Sequence, residues 1–155
     1  SMFWQGVAKR DLWLDGPMFW GISGGEWQST GLKEHLDYYR PENTTSVFGP
    51  NTNAYFPKMY MSKDMNQKVQ TRYLQNGAYA RLKNIQLGYT FPTQIINKLH
   101  MQKLRVYVSA ENVLTITSLP SGFDPETTYS SYSDGNSGKT YPLQTTISFG
   151  LNATF

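Results

Sequence analysis

The chain contains no cysteine, which excludes both a disulfide framework and a thiolate metal centre and leaves the compartment open. Histidine occurs only twice, at His35 and His100, without the spacing of a ligand pair. Charged residues make up 16 %, and 14 Lys and Arg against 11 Asp and Glu give a net charge of +3. The basic residues are scattered singly or in pairs such as Lys9 and Arg10, so no stripe exists to track a phosphate backbone and no nucleic acid is expected as a partner. No run approaches the ~18–20 apolar residues of a membrane-spanning helix. Strands that cross a bilayer remain possible, because their lipid-facing and interior-facing residues alternate and average out. The opening, Ser1 to Arg10, lacks the basic region and apolar run of a signal peptide, so the chain reads as one entered part-way along or as one that begins with a short scar at Ser1 and Met2.

What is present is aromatic. Only 39 % of the 155 residues are hydrophobic, yet 15 % are aromatic, with 11 Tyr, 8 Phe and 4 Trp, a profile that favours strands. Ile85, Leu87, Tyr89 and Phe91 share one parity and Asn84, Gln86, Gly88 and Thr90 the other. Leu82 falls on the wrong parity, which points either to a bulge near Lys83 and Asn84 or to a segment that has left the bilayer. Leu104, Val106, Val108, Ala110, Leu114 and Ile116 form a second apolar stripe, interrupted by Asn112 and opposed by Arg105, Tyr107, Ser109 and Glu111. At the end Ile147, Phe149, Leu151, Ala153 and Phe155 alternate with Thr146, Ser148, Gly150, Asn152 and Thr154. These patterns predict an all-β chain with strands at about 78–91, 104–117 and 143–155, and residues 2–8 are taken as a further strand although neither parity there is cleanly apolar.

Between them stand two irregular stretches, 9–77 and 118–142, rich in Gly, Pro, Asn and Ser, and a short connector, 92–103, expected to hold a helical turn or two with Ile95, Ile96 and Leu99 tucked inward. A short helix is expected where Leu32, Leu36 and Tyr39 share a face before Pro41. Loops this long are unusual in a compact soluble domain and expected on the outer side of a porin-type barrel. Alternation alone fits a secreted carbohydrate-binding β-sandwich equally well. Length favours the bilayer: sandwich strands usually have ~5–6 residues, whereas a tilted membrane strand needs ~9–11.

Few residues suggest chemistry. Asp124 and Glu126 flank Pro125, and Asp11 and Asp15 flank Trp13; either pair could be imagined in a glycoside hydrolase fragment, but neither has a supporting partner visible in sequence. Ser133 to Gly138 offers oxygen donors without the spacing of a calcium loop, and reads as a turn. The expectation is no catalysis, no cofactor and no metal. Trp13, Phe19, Trp20 and Trp27 crowd a glycine-rich loop, where rings could stack on sugars or peptide side chains or could simply pack the loop. Trp13, Trp20, Trp27 and Tyr39 are the candidate cargo-binding residues.

Taken together, "YARLKNIQLGYTFP" (79–92), "LRVYVSAENVLT" (104–115), "GFDPE" (122–126) and "YPLQTTISFGLNATF" (141–155) resemble the C-terminal end of the SusC/RagA family of TonB-dependent outer-membrane transporters of Bacteroidetes. Upstream, "WQGVAKRDLW" (4–13), "HLDYYRPEN" (35–43) and "NTNAYFPKMY" (51–60) are similar to the family's last large extracellular loop and the strand entering it. Ala80, Tyr39, Gln144 and Ala153 depart mildly from the family pattern. The resemblance implies the last four strands of a barrel of about 22 around a plug, set in the outer membrane of a Gram-negative cell. Segments 9–77 and 118–142 would be extracellular and 92–103 a periplasmic turn. It implies energy-dependent uptake of oligosaccharides or peptides, with a SusD-like surface lipoprotein and with TonB coupling through an upstream region. Ser148, Gly150, Ala153 and Phe155 resemble the barrel-assembly signal. Arg81, Arg105 and Glu111 would face the lumen, and Lys83 would need the bulge to do so. Four strands cannot close a barrel, so the chain is expected to be one piece of a larger wall.

Overall fold

The computed structural model describes residues 1–24, 31–60, 67–97, 100–128, 138 and 140–155. The chain forms two units. The first comprises Ser1–Arg10, Gly77–Ser118 and Leu143–Phe155, the second Asp11–Asn76 and Leu119–Pro142.

The first unit is an antiparallel sheet of β1 (Met2–Val7), β4 (Tyr79–Thr90), β5 (Lys103–Thr117) and β6 (Thr146–Thr154), in the order β1-β4-β5-β6. Period-2 sequence becomes a two-faced wall because residues directly opposite each other in an antiparallel pair point to the same side. Ile85, Ala110 and Ile147 stand in one row, as do Leu87, Val108 and Phe149, and Tyr89, Val106 and Leu151. The alternate rows join Asn84, Glu111 and Thr146, and Gln86, Ser109 and Ser148.

A bulge lies where the parity of Leu82 demands one. Phe3 and Trp4 are adjacent in β1 and pair with Asn84 and Leu82, so Lys83 is the extra residue that flips the face of β4. On the other side Asn84 pairs with Glu111 and Leu82 with Leu114, leaving Lys83 opposite both Asn112 and Val113. Asn112 takes φ 52°, a left-handed conformation that asparagine tolerates better than most residues. Below the bulge Leu82 joins Trp4 and Leu114 on the apolar side, and Arg81 joins Gln5 and Thr115 on the polar side.

The strand ends follow local chemistry. β6 begins at Thr146 rather than 143 because side chains replace ladder bonds there: Asn112 Nδ2 donates to Gln144 O at 3.1 Å, and Thr145 Oγ1 donates to Asn112 O at 2.9 Å. Between β4 and β5, Pro92 precedes a single helical turn, α2 (Thr93–Ile96). Ile96 is buried as expected, whereas Ile95 is exposed; Leu99 lies outside the described residues. Among the described residues no helix is long and apolar enough to cross a membrane, which says nothing of strands.

The second unit replaces the expected irregular loop with a small fold. A ribbon of β2 (Asp11–Leu12) and β3 (Gln75–Asn76) ties its ends together. The short helix α1 (Gly16–Trp20) starts where Asp15 accepts a hydrogen bond from Gly16 N at 2.8 Å and Pro17 supplies a pre-set φ. Leu14, Phe19, Trp20, Phe56, Tyr73, Leu119 and Phe123 form its core. The helix expected before Pro41 is only a 3-10 turn, Lys33–Leu36, because its inward residue is His35 and because Tyr38 and Arg40 pass into extended bridges with Phe56 and Asn51.

Candidate functional site

Two features can act on other molecules: the faces of the sheet and the surface of the second unit. On the sheet, Leu87, Ile147, Leu151 and Val106 are 80 %, 62 %, 64 % and 37 % exposed. A sandwich requires these same side chains at its dry centre, so their exposure opposes that reading. A soluble protein rarely shows a contiguous apolar patch above a few hundred Å², and here apolar side chains line one face across all four strands.

The polar face is built by pairing. Arg81, almost wholly buried, donates from Nε to Thr115 Oγ1 at 2.7 Å across the β4–β5 register. Tyr107 stands in register between Gly88 and Gly150. A Cβ at Gly150 would collide with the Tyr107 ring, and one at Gly88 would come within 3.0 Å of the Arg105 guanidinium, so both glycines are open floor on which larger side chains lie. Arg105 reaches back over Tyr107, its Cζ 6.0 Å from the ring centroid. Glu111 stands on the same face opposite Thr146. Of the residues matched to the assembly signal, Ser148 pairs with Ser109, Gly150 with Tyr107 and Ala153 with Leu104, while Phe155 follows the strand and is exposed.

In the second unit the candidate rings separate. Trp20 is 1 % exposed and is corrected from a cargo ring to a core ring. Its edges and faces meet Phe19, Phe56 and Tyr73 at centroid distances of 5.2, 6.3 and 5.0 Å, and its Nε1 donates to Leu14 O at 3.2 Å, so neither face nor donor remains for a ligand. Trp13 is half-buried against it at 5.8 Å. Tyr39 is exposed, and Trp27 lies outside the described residues. The carboxylate of Asp124 accepts from Glu126 N at 2.8 Å, closing a turn. Most of the Ser133–Gly138 segment is likewise outside the described residues.

Sequence reasoning missed the polar groups that hold this unit. Leu32 N donates to His35 Nδ1 at 2.9 Å, which leaves the proton on Nε2 to donate to Phe19 O at 3.1 Å. Buried Arg40 donates to Gly49 O at 2.6 Å and Leu36 O at 2.7 Å and lies 4.6 Å from the Tyr38 ring centroid. Asp37 accepts from Asn51 Nδ2 at 2.8 Å and Tyr55 N at 3.2 Å. These bonds fasten segment 36–56 and raise Val47, 94 % exposed, at its tip. Beside them opens a cavity of about 400 Å³, with Met18, Phe19, Leu32 and Phe56 as its apolar lining and Glu34 and Asp37 as its charged one. Among the described residues no cluster of three or more His, Cys, Asp or Glu is placed to hold a metal.

No family model matches the chain. Its sequence is 35 % identical over 112 residues, 68 % of the chain, to TonB-dependent receptor P3 of Formosa agariphila. It is 28 % identical over 142 residues to TonB-dependent receptor P39 of the same organism, covering 77 % of the chain. The chain spans only 11 % and 13 % of the length of these relatives. In three dimensions it is similar to the RagAB peptide importer. Against the closed-closed state the TM-score is 0.61 at 24 % identity, over 99 % of the chain and 15 % of that structure. Against the open-open state the TM-score is 0.58 at 20 % identity, over the same shares. At these identities the likeness is one of fold. The relatives assign the family and the structures the fold: the chain is a segment of a TonB-dependent receptor, folded like the matching part of the RagAB importer.

Proposed function

We propose that this chain supplies barrel wall, extracellular lip and closing strand to an outer-membrane importer of oligosaccharides or peptides, working with TonB and a SusD-like surface lipoprotein. The observation that carries the reading is the apolar face that runs through β1, β4, β5 and β6 in register. In hydrocarbon such a face is at its most stable, whereas an Arg or Lys there costs roughly 2–4 kcal/mol at mid-bilayer. The opposite face, with Arg81, Arg105 and Glu111, looks into the lumen. The names of the relatives support TonB coupling, and the name of the RagAB importer supports a transported peptide in that protein.

Orientation follows from connectivity. The long insertions 9–77 and 118–142 leave the sheet at the end where Val7, Tyr79 and Thr117 stand in register, and the short 92–103 connection leaves at the other. The first end is extracellular and the second periplasmic. Ser148, Gly150, Ala153 and Phe155 serve recognition by the assembly machinery; the last strand must also present its edge for closure. Trp13 and Tyr39 remain as cargo or partner contacts.

The absence of cysteine offers a direct test. In the full-length protein, cleared of any cysteine elsewhere, a thiol at Val47 is expected to react with an impermeant maleimide on intact cells, and a thiol at Gln94 only after the outer membrane is permeabilised. The reverse pattern, or equal labelling, contradicts the orientation.

A further inference from the structure

The cavity in the second unit has a chemistry of its own. Its floor is carbon: Met18, Phe19, Leu32 and Phe56. Two of its neutral polar side chains, Gln75 and His35, are already engaged. Gln75 Nε2 donates to Tyr55 Oη at 3.0 Å and to Tyr73 O at 2.8 Å, and both ring nitrogens of His35 are used by backbone. The charged groups among the described lining residues are both negative. Glu34 and Asp37 both line the cavity and are exposed, Asp37 is pinned there by Asn51 and Tyr55, and among the described lining residues there is no Lys or Arg.

A neutral sugar would leave the two carboxylates without a partner of opposite charge. A Lys or Arg side chain fits both halves, with its aliphatic stem on the apolar floor and its charged head at the carboxylates. A volume of about 400 Å³ exceeds one such side chain and leaves room for the adjoining peptide backbone. Resting on the importer reading, we infer that this cavity is a cargo subsite that selects peptides carrying a basic residue.

The test uses purified full-length transporter and labelled heptapeptides that differ only at the central residue: arginine, its neutral isostere citrulline, or glutamate. The arginine peptide is expected to bind about fivefold more tightly than the citrulline peptide at low salt. Glu34→Gln should erase that advantage, Glu34→Lys should transfer it to the glutamate peptide, and Ser121→Trp, placed in the cavity lining, should weaken all three. Heat-modifiable migration identifies the variants that assemble, and the two exposed Glu34 variants carry the test if Ser121→Trp does not. Equal affinities for arginine and citrulline overturn the inference, as does a preference unchanged by Glu34→Gln or competition by a neutral heptasaccharide alone. TonB-dependent uptake by cells is scored separately. Its loss sinks the importer reading and leaves the charge preference standing, whereas equal peptide affinities sink the subsite and leave uptake standing.

Discussion

Leu14 and Trp20 of the second unit are 0 % and 1 % exposed, while Leu87 and Phe149 of the sheet are each 80 % exposed. The same residue types are thus turned inward in one region and outward in the other. In the second unit, apolar side chains gather around Trp20 and polar groups such as Arg40 and His35 are satisfied by backbone carbonyls and amides. In the sheet, polar side chains pair across the strands and apolar ones stand outside. Each arrangement suits its own surroundings: the first is that of a protein in water, the second, on the function proposed above, that of a wall between water and hydrocarbon.

The largest effect should come from breaking the inward half of the contrast. Trp20→Ala removes the ring at the centre of the core and is expected to destabilise the second unit by about 3–5 kcal/mol. Limited proteolysis on intact cells should then cut within 11–76, with heat-modifiable migration of the barrel unchanged. Cleavage no faster than in the parent would mean that this unit does not depend on its aromatic core.

Next comes the outward half. Leu151→Arg places a charge on the apolar face in register with Val106, and Asn152→Arg places one on the polar face beside Arg105. The first should cost roughly 2–4 kcal/mol and lower the amount of assembled full-length protein in the outer membrane; the second should change it little. Equal effects would deny that the faces differ.

A smaller effect sharpens the polar face. Gly150→Val puts a side chain where the Tyr107 ring lies and should destabilise the β5–β6 pair by about 1–3 kcal/mol. Tyr107→Ala in the same protein should recover part of that loss, and strictly additive effects in a double-mutant cycle would show that ring and glycine do not meet.

How much of this was legible follows the same divide. In the sheet the signal is local, since alternation is written in consecutive residues, and the misplaced Leu82 marked an irregularity near Lys83 and Asn84 that the strand register resolves as a bulge at Lys83. The start of β6 was hidden because it depends on two side-chain bonds to Asn112, more than 30 residues away. The second unit was illegible for a related reason: its ribbon pairs Asp11 with Asn76 and Leu12 with Gln75, and no short-range pattern announces so distant a match. Composition also misleads there. A ring that stacks on cargo and a ring that fills a core are the same residue, so Trp20 could be told from Trp13 only by its neighbours. Arg40 and His35 gave no signal, because their partners are backbone atoms that a sequence does not display.

The facing of the sheet can be read one residue at a time. With a single fluorophore placed in turn at residues 146 to 154 of the full-length protein in bilayers, a quencher carried on lipid tails should be strong at Ile147, Phe149, Leu151 and Ala153 and weak at Ser148, Gly150 and Asn152. A uniform profile, or one strongest at Ser148 and Asn152, would contradict a wall with hydrocarbon on one side and an aqueous lumen on the other.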